Sequence, residues 1–431
     1  MDMTHTPVSR LLFKLSPPVM LALLIQSIYN IADSLFVAHY SQEGLTALSI
    51  VYPIQLLMVA IATGTGAGVN ILIARMDGQG EKTKQSEVVT NGFLLALVHY
   101  LMFALGGFFL ASAYFHLSSQ NALVREQGVI YSRIVFCGSL GAFLEGICTK
   151  ILQARGNMVL PMAAQVVGAV INILLDPILI FGLFGSHSLG IAGAAIATVT
   201  GQLAAMAITM LAVVRNYRFQ YCKWSGKMCL QIYRNGIGSI VTQSLYTLYI
   251  VGLNMILKTF TEDAVTVLGI YYKVQTFFFI PLLGLQQVLL PVISNNYGAG
   301  EKQRICSIVR MSLGLAVGLM LLATIVFMAF PQKLLLLFSS KAEILAIGTY
   351  ALRVIAISFV PAGVTIVVTT HLQAVARMKA SVFIIVLRQV ILLVPVAWLL
   401  HFCGLNSVWW TFPITECVAA LTSGIIEKRK P

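Results

Sequence analysis

Charged residues are scarce in this 431-residue chain, and acidic residues are the scarcest. Asp, Glu, Lys and Arg make up 10% of the sequence, whereas 58% is hydrophobic. A soluble domain has about 25% charged residues. The apolar residues form long continuous runs, which favour spanning helices over the short alternating strands of a transmembrane β-barrel. The composition therefore predicts an all-α polytopic membrane protein, and we expect the lipid bilayer to surround it.

Several motifs of metal binding and catalysis are also missing. The seven cysteines form no C-x-x-C, the seven histidines form no H-E-x-x-H, and no segment matches G-x-x-x-x-G-K-[ST]. We therefore expect no disulfide framework, no metal site, no cofactor and no catalytic residues, so that any transport is driven by an ion gradient. The short N-terminus leads into a full-length apolar run, which favours an uncleaved first transmembrane helix.

Twelve apolar segments are long enough to span a bilayer, which takes about 20 residues. They lie near residues 17–38, 47–74, 88–114, 128–152, 159–183, 190–214, 237–257, 264–292, 307–330, 344–371, 381–402 and 405–426. Two long segments, 47–74 and 264–292, are each interpreted as one tilted helix that extends past the bilayer. Most Lys and Arg residues fall at the termini and in alternate loops. The net charge of +13 therefore indicates topology, with both termini cytoplasmic, rather than nucleic-acid binding.

The second half of the chain repeats the first at a constant offset of 220 residues. The matching stretches are Leu45–Gln55 with Val265–Gln275, Met76–Gln85 with Asn296–Ile305, and Leu152–Ala154 with Leu372–Ala374. Each half has six predicted helices, an even number, so the pseudo-twofold axis should run along the membrane normal. We predict an N-lobe over 1–214, a basic and aromatic cytoplasmic linker over 215–236, and a C-lobe over 237–431.

A Gly-x-Gly-Glu-Lys pattern occurs at the same place in both halves, at Gly78–Lys82 and Gly298–Lys302. A phosphate cradle is one interpretation, but the pattern follows the second helix of each half. Glycines that end a helix explain it better.

Asp33 is an acid inside the first apolar segment, where a charge facing lipid would cost several kcal/mol. Gln26, Tyr29, Asn30 and Asp33 fall at helical spacing and form one polar stripe. The stripe should face other helices or a cavity. It marks either a functional site or a helix-packing surface with a hydrogen-bonded acid.

Asp176 is expected at the same depth as Asp33. A rise of 1.5 Å per residue places each acid roughly 8 Å beyond the middle of its helix. Asn172 lies one turn below Asp176, and Asn30 and Thr198 lie in the same half of the bilayer. These three residues and the two acids are the expected cation-coupling residues. Two neighbouring carboxylates cannot easily both ionise, so the pair should take up a proton near neutral pH. The same oxygens could bind Na⁺, and a buried polar cluster that stabilises the bundle is the structural alternative.

The remaining charges in apolar runs are less informative. Glu145 could attract a cationic substrate or pair with Lys150, and Glu416 is isolated in the sequence. Three basic residues of second-half helices are expected to snorkel or pack: Lys273, Arg353 and Arg388. Broad cation recognition favours adaptable apolar and π surfaces. The expected substrate path is Gln26, Tyr29, Tyr52, Gln55, Met58, Glu145, Gln275 and Phe278.

Three motifs and the duplicated loops resemble the MATE (multidrug and toxic compound extrusion) family, most closely its MepA-like bacterial branch. The motifs are Asn30-x-x-Asp33-x-x-Phe36-Val37, Asn172-Ile-Leu-Leu-Asp176-Pro177 and Gly193-Ala-Ala-Ile-Ala-Thr198. The resemblance implies twelve helices in two six-helix lobes around a V-shaped cavity. It also implies export of small cationic amphipathic molecules in exchange for H⁺ or Na⁺. We expect a monomer in the bacterial inner membrane.

The family's first-lobe cation site carries over onto four residues: Asp33, Asn172, Asp176 and Thr198. The NorM-type branch also has acids in its seventh and tenth helices. Here Tyr246 and Tyr249 stand in the seventh and Arg353 in the tenth, which favours coupling through the first lobe. Pro17 and Pro18 open the first predicted helix, which can bend in the family.

Two alternative functions fit the same architecture less well. A lipid-linked saccharide flippase of the same superfamily would need a cationic cavity for its anionic substrate, whereas the first-half interior is acidic. A ligand-responsive receptor or channel would not need two complete lobes, and the sequence shows no sensory domain.

Overall fold

The computed structural model describes residues 3–183, 187–217 and 222–428, and the described residues form helices joined by short turns. Residues 218–221 of the predicted linker and the last three residues of the predicted C-lobe lie outside the described residues. The chain divides into two compact units. The first is chiefly Pro17–Ile240, and the second combines Thr4–Ser16 with Val241–Pro431.

Eight long or paired helices lie wholly or partly in the first unit. They are α1 (Val8–Tyr40), α2 (Gln42–Gln79), α3 (Lys82–Ser118), α4 (Ala122–Cys137), α5 (Leu140–Ala154), α6 (Val159–Phe181), α7 (Ile191–Asn216) and the start of α8 (Gly226–Lys258). Buried Val, Ile, Leu and Phe side chains of α2–α5 form a continuous core there.

The second unit is also built from long and paired helices, which come from the second half of the chain. Its further helices are α9 (Glu262–Gly298), α10 (Lys302–Ala329), α11 (Pro331–Leu336), α12 (Ala342–Ala356), α13 (Phe359–Ala374), α14 (Met378–Val386), α15 (Leu393–His401), α16 (Leu405–Val408) and α17 (Thr411–Lys428). A π-helical segment, Leu387–Leu392, joins α14 to α15. The segments predicted at 47–74 and 264–292 are single helices, α2 and α9, as expected.

Within the described ranges, nine helices are long and apolar enough to cross a membrane, and two bent pairs bring the number to eleven. The bent pairs replace single predicted spans. The fourth span breaks into α4 and α5 at 42°, and the tenth breaks into α12 and α13 at 45°. At each break a serine hydroxyl donates to a carbonyl three residues earlier, Ser139 Oγ to Phe136 O at 2.7 Å and Ser358 Oγ to Ile355 O at 2.6 Å. Such local bonds compete with the helical ladder and bend it.

The repeated glycine-rich turns end helices, as the sequence predicted. Gly80 at the end of α2 has φ of 75°, and Gly300 after α9 has φ of 79°. The following residue donates back to a carbonyl five residues earlier in each case, Glu81 to Met76 O and Glu301 to Asn296 O. This left-handed geometry favours glycine because it has no Cβ.

The first helix begins earlier than predicted. It starts at Val8, so Pro17 and Pro18 lie inside α1 rather than at its opening. The boundary between the two units falls at this proline pair, between Ser16 and Pro17. Within the second unit, Arg304 donates a hydrogen bond to the carbonyl of Thr6.

Helices α6 and α7 approach each other closely through two glycines. A Cβ built on Gly201 would lie 2.6 Å from the carbonyl oxygen of Gly168, and one built on Gly168 would lie 2.7 Å from that of Gly201. Small residues allow such backbone contact in membrane proteins. The contact lies one turn from Asn172 on α6 and Thr198 on α7, so it sets the spacing between those two side chains.

Gly201→Ala should therefore destabilise the first unit by about 1–3 kcal/mol, because the new methyl group meets backbone rather than a movable side chain. Gly106→Ala in α3 is the matched control, since its Cβ would have no atom within 4 Å. Thermal unfolding of the purified protein measures both. Equal melting temperatures for the two variants would contradict the close-packing argument.

Candidate functional site

The two acids predicted from the sequence lie near each other inside the first unit. Asp176 on α6 is fully buried, and Asp33 on α1 is partly buried. They are close enough to interact electrostatically. Asp33 Oδ1 and Asp176 Oδ2 are buried and have no hydrogen-bond partner among the described residues. Each acid therefore offers an oxygen that a proton or cation could occupy.

Asn172 and Thr198 complete the cluster around Asp176. Asn172 Nδ2 lies 3.4 Å from Asp176 Oδ1 and 3.4 Å from Thr198 Oγ1, both long for hydrogen bonds. Asn172 Oδ1 is also buried and has no partner among the described residues. Oxygen donors of this kind suit hard cations such as H⁺ and Na⁺. No group of three His, Cys, Asp or Glu side chains in the described residues could hold a metal ion.

Two tyrosines border the acids. Tyr29 on α1 and Tyr131 on α4 both interact electrostatically with Asp33 and Asp176. Tyr131 is buried, and Gln55 Nε2 lies 3.5 Å from its hydroxyl. The sequence analysis missed Tyr131, because a tyrosine within an apolar run is as easily explained by packing.

The other two members of the predicted polar stripe are less buried than Asp33. The side chains of Gln26 and Asn30 are exposed. The backbone carbonyl of Asn30 accepts a hydrogen bond from Ser34 Oγ at 2.9 Å. Asn30 precedes Asp33 by three positions, which places it about 60° around the helix from the acid. Asn30 therefore lies on the same side of α1 as Asp33, and its place in the cation-coupling site stays a prediction.

The predicted substrate-path residues of α2 and α9 have different environments. Met58 is buried in the hydrophobic core of the first unit, whereas the side chain of Tyr52 is exposed. In the second unit, Phe278 packs edge-to-face on Phe327 with ring centroids 5.2 Å apart. Gln275 lines a cavity of that unit.

Glu145 forms a hydrogen bond within its own helix. Thr149 Oγ1 donates to Glu145 Oε1 at 2.6 Å, and Lys150 Nζ donates to Gln153 Oε1 at 2.8 Å. Lys150 still interacts electrostatically with Glu145. The pairing suggested by the sequence is therefore an electrostatic contact rather than the main hydrogen bond of either group.

Glu416 is not isolated, and Arg388 does not snorkel. Arg388 Nε on the π-helical segment donates to Glu416 Oε1 on α17 at 2.6 Å, and the Glu416 side chain is 9% exposed. The sequence could not show this pair, because 28 residues and a turn separate its members and packing alone sets their register. Lys273 and Arg353 are exposed, as expected for snorkelling cations, and Lys273 Nζ lies 5.9 Å from the ring centroid of Phe338.

The model of the MatE family matches the chain twice, at residues 18–178 and 239–399. The two matches lie in the two halves that the sequence repeat predicted. Together they cover more than half of the chain.

Relatives and solved structures cover nearly the whole length. An FAD transporter of Shewanella oneidensis is 25% identical over 98% of this chain and 95% of its own. Multidrug export protein MepA of Staphylococcus aureus is 24% identical over 98% of this chain and 94% of its own.

Two solved structures share the fold of this chain. A transporter of the MOP superfamily from Pyrococcus furiosus superposes with a TM-score of 0.90, covers 98% of this chain and 96% of its own, and is 22% identical. An outward-facing multidrug resistance MATE transporter gives a TM-score of 0.91 at 23% identity, with 98% and 96% covered. The all-helical, two-lobed fold inferred from the sequence is confirmed, and the chain belongs to the MATE family of membrane transporters.

Proposed function

We propose that this protein exports organic cations in exchange for H⁺ or Na⁺, and that the acids of the first unit couple the two movements. The observation that supports the proposal is the set of three buried, unpartnered oxygens on Asp33, Asp176 and Asn172. Buried polar atoms normally have partners. Three buried oxygens without a hydrogen-bond partner, two of them on acids, suit an ion that binds reversibly.

The coupling follows from charge. When both carboxyl groups are ionised, they repel each other and attract water and cationic drugs. A proton or Na⁺ that binds from outside removes that charge, so the drug loses its attraction. Ion and drug need not share an atom to compete, because they need only favour opposite states of the protein.

Membrane placement follows from the loop charges. The positive bias of alternate loops supports an inner-membrane topology with both termini in the cytoplasm and the acid pair in the outer half of the bilayer. The protein acts as a monomer, because the repeat supplies both lobes within one chain. The MepA relatives are multidrug exporters, which is consistent with the proposed substrate class.

Asp33→Asn should abolish gradient-driven export while the protein stays folded, because an amide packs equally well but cannot titrate. Uptake of ethidium into proteoliposomes, with proton and sodium gradients imposed separately, measures the effect and identifies the coupling ion. Glu126→Gln, at an acid of the same unit outside the cluster, is the control and should retain transport. Full export by Asp33→Asn under either gradient would refute the coupling role.

Ethidium affinity in detergent should rise with pH, by about tenfold across the titration of the acid pair, because protonation removes the charge that attracts the drug. Asp33→Asn and Asp176→Asn should each flatten most of this dependence. The double variant should be no worse than either single variant, since the two acids act as one unit. Fluorescence titration at several pH values measures all four proteins.

The result that would overturn the coupled pair is equally specific. If each single variant keeps the full pH dependence, the two acids titrate independently and something else opposes drug binding.

A second candidate function is export of a flavin-like molecule. It is favoured by the relative named as an FAD transporter, together with the Arg388–Glu416 pair in the aromatic cavity of the second unit. A purely cation-specific exporter has no evident need for an arginine at that position. Competition between ethidium and FAD for export from the same vesicles separates the two candidates.

A further inference from the structure

The Arg388–Glu416 pair uses little of its hydrogen-bonding capacity. A guanidinium group has five N–H donors. Arg388 Nε donates to Glu416 Oε1, and the terminal nitrogens of Arg388 have no acceptor among the described residues. Glu416 Oε2 is buried and likewise has no partner there. The pair therefore presents a donor group and an acceptor atom side by side.

The π-helical segment adds a second buried acceptor. Gln389 is 6% exposed, and its Oε1 has no hydrogen-bond partner among the described residues. Leaving such an atom unpaired in a protein interior is unfavourable. Two buried acceptors beside one cavity indicate a site that a hydrogen-bond donor from outside the chain fills.

The cavity beside these groups is small and accessible. Its volume is about 30 Å³. On the same scale, one water molecule needs roughly 10–15 Å³. One functional group fits there, whereas a complete aromatic ring does not. The Arg388 side chain is 23% exposed, so a ligand can reach the pair. The aromatic residues that line the cavity are Tyr249, Tyr271, Tyr272, Phe279 and Phe412.

Charge selects the chemistry of this group. Arg388 and Glu416 together are neutral. An anion would leave a net negative charge beside Glu416, and a cation would face the terminal nitrogens of Arg388. Burying an uncompensated charge is costly. An uncharged group with an N–H next to a carbonyl can donate to Glu416 and accept from Arg388. It does so without burying an uncompensated charge.

We propose that the second-unit cavity binds an uncharged donor–acceptor edge of the exported molecule, such as an imide, amide or lactam. The N–H of that edge donates to Glu416 Oε2, and its carbonyl accepts from a terminal nitrogen of Arg388. The rest of the molecule stays outside the cavity. This inference rests on the proposed transport function and adds a substrate-recognition site separate from the acid cluster of the first unit.

Riboflavin and 3-methylriboflavin are suitable probes, because both are uncharged and fluorescent and differ only in the imide N–H. Each is titrated against the purified full-length protein in nanodiscs, with quenching of flavin fluorescence as the signal. Methylation should weaken binding at least tenfold, because it leaves Glu416 Oε2 unpaired and adds bulk at the contact. This comparison uses the wild-type protein and needs no variant to fold.

Variants then assign the discrimination to the pair. Glu416→Gln should reduce the ratio of the two affinities to less than threefold, whereas Glu262→Gln, at an exposed acid of the same unit, should leave it unchanged. The double variant with Arg388→Met and Glu416→Met replaces the ion pair by apolar side chains of similar length, a change that buried pairs often tolerate. It should bind both flavins equally weakly.

Three results would overturn the proposal: equal affinity of the wild type for both flavins, no detectable binding of either, or discrimination that survives in the double variant. Binding of FMN tenfold tighter than riboflavin, with no effect of N-methylation, would instead assign an anion site. Ethidium export is measured on the same preparations. Its loss through Asp33→Asn tests the first-unit mechanism independently of these outcomes.

Discussion

Hydrocarbon offers no hydrogen bonds, and the rest of this structure depends on that constraint. Every backbone polar group must be satisfied within its own helix, and every charged side chain within an apolar run must face protein or water. Asp33 and Asp176 satisfy this rule by lying inside the first unit, where they interact electrostatically, and Arg388 and Glu416 satisfy it by pairing in the second. Because charged residues are scarce in this chain, each one inside an apolar segment is easy to find and indicates a chemical role.

The two units share a scaffold but not their chemistry. The first unit gathers acids, an amide and a hydroxyl with oxygens left over, which suits an ion that must leave again. The second gathers an ion pair, tyrosines and glutamines around a small cavity, which suits recognition of a neutral polar edge. The antiport mechanism that we propose needs both operations, a reversible ion site and a selective site for cargo. Separating them between repeats lets each change without disturbing the other.

The sequence predicted most of the fold because the dominant signals are local. Long apolar runs predicted α2 and α9, and the constant offset of 220 residues predicted the two repeated halves. The bends at Ser139 and Ser358 were missed, because a single hydroxyl–carbonyl bond leaves hydropathy unchanged. In the candidate site, spacing on one helix correctly placed Asn172 beside Asp176. Tyr131 and the Arg388–Glu416 pair depend on helix rotation and packing between helices, which no single run of sequence contains.

The two serine bends have an evolutionary consequence. They lie 219 residues apart, within one position of the repeat offset of 220, and have similar angles of 42° and 45°. A feature present in both copies is most simply inherited from the single ancestral half that was duplicated. The acid cluster and the arginine–glutamate pair each occur in one copy, so they diverged after the duplication. The bent helix therefore belongs to the ancestral half, and the chemistry that now distinguishes the lobes arose by gain or loss in one copy after the duplication.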